Sequence, residues 1–406
     1  MPTTSTARPT LGRWSALATV AVSSVLMHTP AHAWTQNAHY WASVGVFGRF
    51  NVVTRDDFTA KHSDMQCGFA AGGNANLTDG YTVGRSNVNS TVSGRPQVGV
   101  LIGGNLNWAN ASGTIDGDVY LGQTTSVNIT NGQSPVNLAA GSSVRILTGA
   151  DAFTAINQDL WVGWGNDTVA WGTGSLLPNN YTPGATGWTG YTSVNLNGLQ
   201  SAFKGFFDDY LDKMAGGLLH SSAAANGTTT VNSYYSDNNG PRYNIMLDGR
   251  NLGRCDMNTN NASNCGPGLG AANTQPGGRR AVYIFEVDNA KLSSADEVRL
   301  QNTRVTDEFG SPTWTVVRVK DSGSHTATLA RMGLQDFAPN NTRTLWVFDP
   351  TITTITINGV GVEGTILAPK AHVIANNGNI NGSVIAKSFD GTLEGHCAPF
   401  INYIDP

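Results

Sequence analysis

The chain repeats one short phrase. Gly72-Gly73-Asn74-Ala75-Asn76-Leu77 returns as Gly103-Gly104-Asn105-Leu106-Asn107-Trp108, preceded by Phe69-Ala70-Ala71 in one case and Val100-Leu101-Ile102 in the other. Near the other end, Gly361–Ala371 and Asn376–Lys387 carry the same grammar of a few Val, Ile or Leu followed by Gly or Asn. Short apolar β-formers supply the inward side chains of a rung, and Gly or Asn tolerates the positive φ of a corner. This pattern predicts a mainly β protein, a β-helix (solenoid) formed by the N- and C-terminal segments. The intervals between phrases are irregular, so a strict repeat array is not expected.

Composition agrees. Only 13% of the 406 residues are charged, and 48 are Gly. Replacing Lys and Glu with Gly, Asn, Thr and Ser disfavours helix and favours short strands with polar turns. Residues 1–33 read as a secretory signal, with Arg8 and Arg13 before an apolar stretch and Ala31-His32-Ala33 as a small-x-small cleavage site. The apolar stretch is too short and too interrupted for a membrane-spanning helix. Removing these residues takes away two Arg and no acid, leaving 22 basic against 28 acidic residues, a net charge of −6. Arg279-Arg280 is the only basic pair, so no nucleic-acid partner is expected.

All four cysteines follow the signal. An even count in an exported chain implies disulfides rather than zinc. Of three possible connectivities, the expected one joins Cys255 to Cys265 across a short loop and Cys67 to Cys397 across almost the whole chain. In the chain-entropy picture the long link contributes roughly 4–5 kcal/mol.

The middle segment, about 151–280, is different in character. Leu199, Ala202, Phe203, Phe206, Phe207, Tyr210, Leu211 and Met214 recur at helical spacing, predicting one amphipathic helix at about 198–215 packed alongside the solenoid. Asn197 caps its start and Gly216-Gly217 stop it. Its other face, with Lys204, Asp208, Asp209, Asp212 and Lys213, is expected to be solvated. Residues 236–278, dense in Asn, Gly and Asp, are expected to form a long loop. Strands return from Val282 onward.

These blocks, taken together with Phe50-Asn51-Val52, Val282-Tyr283-Ile284-Phe285, Leu345-Trp346-Val347-Phe348 and Glu394-Gly395-His396, resemble the secreted bacterial choice-of-anchor A family, from about Ala38 to the end. The resemblance implies a single domain over 34–406, β-helical and adhesive, similar to ice-binding solenoids. It implies no catalytic residues. The family's members commonly end in a surface-anchoring signal. This chain stops at Tyr403-Ile404-Asp405-Pro406 without a sorting motif or a hydrophobic or basic tail, so release, non-covalent association or self-assembly is expected instead.

Catalytic signatures are sparse. Gly359-Val360-Gly361-Val362-Glu363-Gly364 has the spacing of a dinucleotide fingerprint, but a strand ended by Pro369 follows where a helix is needed, so a solenoid corner is expected. His396 lies beside Glu394 and Cys397, a neighbourhood compatible with a thiol nucleophile but better explained by a disulfide with an adjacent histidine. Asp56-Asp57 and Asp116-Gly117-Asp118 are candidate calcium ligands, with a turn as the plainer alternative for the second. Trp161, Trp164, Trp171, Trp188, Tyr181 and Tyr191 are candidate ligand-facing aromatics, with core packing as the alternative.

The expected function is that of an exported, non-enzymatic structural or adhesive protein at the cell surface or in the extracellular matrix. Its expected partners are an extracellular polymer, a cell surface or copies of itself. A secreted polysaccharide-active enzyme using Asp208, Asp209 and Asp212 is one alternative. Ice binding through Thr351–Ile357, echoed at Thr124–Thr130, is another.

Overall fold

The computed structural model describes residues 50–84, 98–122, 127–138, 144–147, 168–171, 204–212, 215, 225, 227–236, 240–249, 282–303, 305, 313–398 and 400. The N-terminal strands are β1 (Val52–Thr54), β2 (Phe58–Met65), β3 (Phe69–Ala71), β4 (Ala75–Val83), β5 (Val98–Ile102), β6 (Leu106–Ile115), β7 (Asp118–Gly122), β8 (Val127–Leu138), β9 (Val144–Leu147) and β10 (Thr168–Trp171). A hairpin follows, β11 (Thr228–Ser236) and β12 (Gly240–Asp248). The C-terminal strands are β13 (Val282–Asp288), β14 (Ala295–Gln301), β15 (Trp314–Lys320), β16 (Thr326–Ala330), β17 (Thr344–Phe348), β18 (Thr354–Glu363), β19 (Thr365–Asn381), β20 (Val384–Gly391) and β21 (Glu394–His396).

The strands wind into a three-faced parallel β-helix. On one face ten strands stack in the order β9-β7-β5-β3-β1-β20-β19-β17-β15-β13, with β10 antiparallel beyond β9. On the second, the order is β8-β6-β4-β2-β20-β19-β18-β16. On the third, the far halves of β8, β6, β4 and β2 continue through β21 into the far ends of β19 and β18. The chain therefore starts in the middle, winds outward to one end, re-enters at the other end and winds back. Its last rung stacks on its first: Val52 pairs with Val384, Phe58 with Phe389 and Met65 with Gly395.

The recurrent phrase makes the corners. Asn74 and Asn105 follow the two glycines of each phrase, and the Asn105 amide donates to Asn74 Oδ1 (2.9 Å) while the Asn74 amide donates to Asp57 Oδ1 (2.7 Å). A Cβ on Gly104 would stand 2.5 Å from the Gly73 backbone, so the glycine is required by close approach. The next corner is a column of left-handed residues: His62 (φ 47°), Asp79 (φ 64°), Asn110 (φ 52°), Asn377 (φ 57°) and Gly359 (φ 62°). His, Asp and Asn are the side chains that tolerate this region best. Here they also bond along the column, with His62 Nε2 3.0 Å from Asp79 Oδ2 and Asn110 Nδ2 donating to Asp79 Oδ1 (3.3 Å).

The core runs down the axis. Phe58 stacks on Phe69 (centroids 4.4 Å apart) and on Phe389 (5.4 Å), and Tyr81 packs edge-on against Phe58 and Phe69. Burial pushes the Tyr81 phenol well above its ordinary pKa, so it stays neutral in the core.

Between the first and last rungs lies Asn51, with no exposed surface. Its Nδ2 donates to Gly382 O (3.1 Å) and His396 O (2.7 Å), and its Oδ1 accepts from the Cys67 amide (2.7 Å). A disulfide joins Cys67 to Cys397 at the same level, Cα to Cα 4.9 Å. Cys255 and Cys265 lie outside the described residues, as does the 1–33 segment.

Two sequence expectations need correction. Residues 236–278 are not one long loop: β11 and β12 pair antiparallel from Thr228↔Asp248 to Ser236↔Gly240, and β14 adds in parallel. This three-stranded sheet attaches at the β13 end, through the Gly227 amide to Ile284 O (3.1 Å) and the Val298 amide to Gly333 O (3.1 Å). The hairpin is hidden in the sequence because its turn residues begin the Asn- and Gly-dense run. The helix is described as a π-helical stretch, Phe206–Leu211, with Phe207, Leu211 and Ala215 buried. Its charged face is not simply solvated, because two of its acids pair with the solenoid.

Asn51→Ala leaves the Gly382 carbonyl and the Cys67 amide without their side-chain partner, while the His396 carbonyl keeps the Ala398 amide (2.9 Å). It is expected to cost about 2 kcal/mol, at roughly 1 kcal/mol per group, read as a lowered urea midpoint. An unchanged midpoint would show that the seam does not depend on this side chain.

Candidate functional site

The three faces differ in what their outward side chains meet. On the ten-stranded face, Val53, Ala70, Leu101, Val316, Leu345, Leu367 and Ile385 point away from the axis yet are buried, so protein covers this face. The helix is fastened beside it. Asp208 takes two hydrogen bonds from Arg55, both 2.8 Å, and Asp212 lies 3.1 Å from Lys370 Nζ. Arg55 and Lys370 follow β1 and β19's first segment, where those strands leave the covered face. The Arg55 guanidinium holds the Asp208 carboxyl below the usual carboxylate range. These two acids are tethers rather than a carboxylate pair free to flank a glycosidic bond. The side chain of Asp209 lies outside what is described.

The second face is open. Its strands alternate inward apolar with outward polar residues, as in Thr326-Ala327-Thr328-Leu329 and Thr354-Ile355-Thr356-Ile357. Register aligns one outward row across all eight strands: Thr328, Thr356, Ile374, Asp390, Thr59, Asn76, Asn107 and Asn128. At the usual spacing between strands the row is about 34 Å long. Asn107 Nδ2 donates to Asn76 Oδ1 (2.9 Å) and Asn128 Nδ2 donates to Asn107 Oδ1 (2.8 Å), so three of its members form an amide ladder. A second row runs Thr326, Thr354, His372 and Ser388, with His372 Nδ1 2.8 Å from Ser388 Oγ. Hydroxyls and amides dominate both rows. Asp390, with His372, supplies the ionisable groups.

The third face is more acidic. Glu363 accepts from Asn381 Nδ2 (2.6 Å) and Asn341 Nδ2 (3.1 Å). Asn381 Oδ1 is 2.8 Å from His396 Nδ1, whose Nε2 is 3.2 Å from Glu394. This polar chain ends beside Cys397, which is bonded to Cys67 and offers no thiol nucleophile.

Other sequence candidates are accounted for in place. His62, His325, His372 and His396 each contact a polar side chain. Asp56 pairs with Arg55 (2.8 Å) and Asp57 caps the Asn74 amide, so these two of the candidate calcium ligands serve a corner. Asp116 precedes Gly117 (φ 125°) in the turn between β6 and β7, and burial raises its pKa. Trp161, Trp164, Tyr181, Trp188 and Tyr191 lie outside the described residues, and Trp171 is described only as a backbone position opposite Val144. The formal dinucleotide motif spans the bend of β18 and the turn into β19, with no helix after it.

Two features of the open face are not evident from sequence inspection. The Asn ladder is signalled by Asn76 and Asn107, which recur two positions after the corner Asn of each phrase. The Thr351–Ile357 run has a threonine-bearing neighbour, Thr326–Thr328; of the echo at Thr124–Thr130, the part described is Val127–Thr130 in β8. β8 lies well away from β18 on this face, with β6, β4, β2, β20 and β19 between them.

The chain matches, over residues 43–397, the model of a family described as "Putative Ice-binding-like adhesive domain". It belongs to that family. No curated protein matches it, and no solved structure does.

Because the Asp208 pKa is depressed in the folded protein, the stabilisation from its pair with Arg55 is present above the unfolded carboxylate range. It is lost as pH falls below about 4. Melting temperatures taken between pH 3 and 7 are expected to drop less steeply on the acid side in Asp208→Asn than in the unmodified chain. Parallel curves would contradict the assignment.

Proposed function

We propose that the protein is an exported, non-enzymatic adhesive domain that attaches through its open face to a surface rich in hydroxyl groups, such as an extracellular polysaccharide or a polysaccharide-coated cell. The observation that carries this is the eight-strand outward row, six of whose positions are Thr or Asn. It is rigid because its strands are held in continuous parallel ladders, and it is nearly uncharged. A flat array of small donors and acceptors suits a repeating neutral polymer better than a compact charged ligand. Membership of an adhesive family supports the same role. Within that family the corner phrases favour the choice-of-anchor A group, with residues 1–33 as the export signal and 34–406 as one domain.

A second function has one specific observation in its favour. Thr326 and Thr328 lie directly over Thr354 and Thr356, a two-by-two hydroxyl patch of the kind that orders water. Ile374, Asp390 and His372 interrupt the patch on the next rungs, which favours the polymer over ice.

The test is attachment of the purified mature chain to immobilised neutral polysaccharides, to cells and to ice. Thr59→Tyr and Thr356→Tyr place bulk at the middle and near one end of the row. Both positions point outward, so folding is expected to change by no more than about 0.5 kcal/mol. Polysaccharide or cell attachment is expected to weaken at least tenfold. Attachment unaffected by both substitutions would overturn the assignment of this face, and adsorption to ice alone would favour the second function.

A further inference from the structure

The chain enters its first rung and leaves its last rung at one place. Asn51 Nδ2 reaches the His396 carbonyl at 2.7 Å, and 16 residues after Asn51 the chain is joined covalently to Cys397. Residues 68–396 thus hang as a closed loop from the Cys67–Cys397 bond. Tension applied between the chain before residue 50 and the chain after residue 397 runs through residues 51–67, crosses the disulfide and leaves. It never enters the other rungs.

The short segment left under load lies inside the solenoid. β1 is paired on both sides, with β20 and β3, and β2 is paired with β4 on one side and with β20 and β21 on the other. Without the disulfide, tension on residue 397 would fall directly on β21. That strand has three residues, paired with β19 at all three and with β2 at Met65, and it is the last strand before residue 397. It would peel first, followed by β20 and β19 in turn.

We propose that Cys67–Cys397 is a mechanical clamp. It takes every strand of the open face except β2, and nearly all of the core, out of the line of force, and it shifts the load from the last strand, β21, to β1 and β2. The clamp follows from connectivity and pairing, and it stands whether or not the open face is the adhesive surface.

The test is single-molecule stretching of the full mature chain between handles fused at both ends, in oxidising buffer and in reductant. In oxidising buffer, unfolding of the solenoid is expected to release about 17 residues, roughly 60 Å of chain. In reductant, about 350 residues are expected, roughly 1,200 Å, beginning at a lower force. Circular dichroism of the reduced, unstretched chain shows whether it is still folded, so that loss of the clamp is told apart from loss of the fold. Cys397→Ser provides the same comparison without reductant. A release near 1,200 Å in oxidising buffer would overturn the proposal. So would a first unfolding force that reduction leaves unchanged or raises.

Discussion

The structure depends on the contact between its first and last rungs. A solenoid wound from one end could lose terminal turns singly. This one starts in its own middle, so the N-terminal and C-terminal halves are each incomplete until β1 and β2 are laid against β20 and β21. Three kinds of interaction converge there. Parallel ladders continue unbroken across the junction, Phe58 and Phe389 stack inside it, and Asn51 bonds to both rungs at once. Gly395 is required because a Cβ there would meet Met65 Sδ and the Asn51 side chain at 2.5–2.7 Å. The disulfide adds a covalent tie to a junction already specified by packing.

The same winding explains why the faces differ. Each rung offers one outward row per face, and the sequence decides whether that row is to be covered or left open. Continuous apolar runs such as Phe69-Ala70-Ala71 and Val384-Ile385-Ala386 are buried on both sides. Strict alternation, as in Thr354-Ile355-Thr356-Ile357, leaves hydroxyls outside. The open face is therefore a by-product of strand patterning. The corners beside it add to the hold of the ladders, because Asp57, Asn74 and Asn105 and then His62, Asp79 and Asn110 bond from rung to rung.

Much of this is legible in local chemistry. Gly-Gly-Asn phrases between short apolar runs announce parallel rungs, and Cys67 and Cys397 flank the two ends that meet. What escapes a sequence reading is long-range. Nothing near Asn51 marks it as a bridge to Gly382 and His396 at the far end of the chain. The acids of the helix look like a solvated face because their partners, Arg55 and Lys370, come from remote rungs. β12 passes for loop because Asn238-Asn239-Gly240 opens an Asn- and Gly-rich run in which the strand Gly240–Asp248 does not stand out. The neighbour of the Thr354–Thr356 row, Thr326–Thr328, is likewise set by register along the solenoid and not by resemblance between segments.

The most direct test of the central claim is amide hydrogen exchange followed by mass spectrometry on the native chain. If the first and last rungs close on each other, peptides covering 51–65 and 384–396 exchange as slowly as any in the protein. They also lose protection together as denaturant is raised, because each holds the other. Rapid exchange in either peptide while β4, β6 and β18 remain protected would contradict the account, since two separately folded half-solenoids would then explain the protein better.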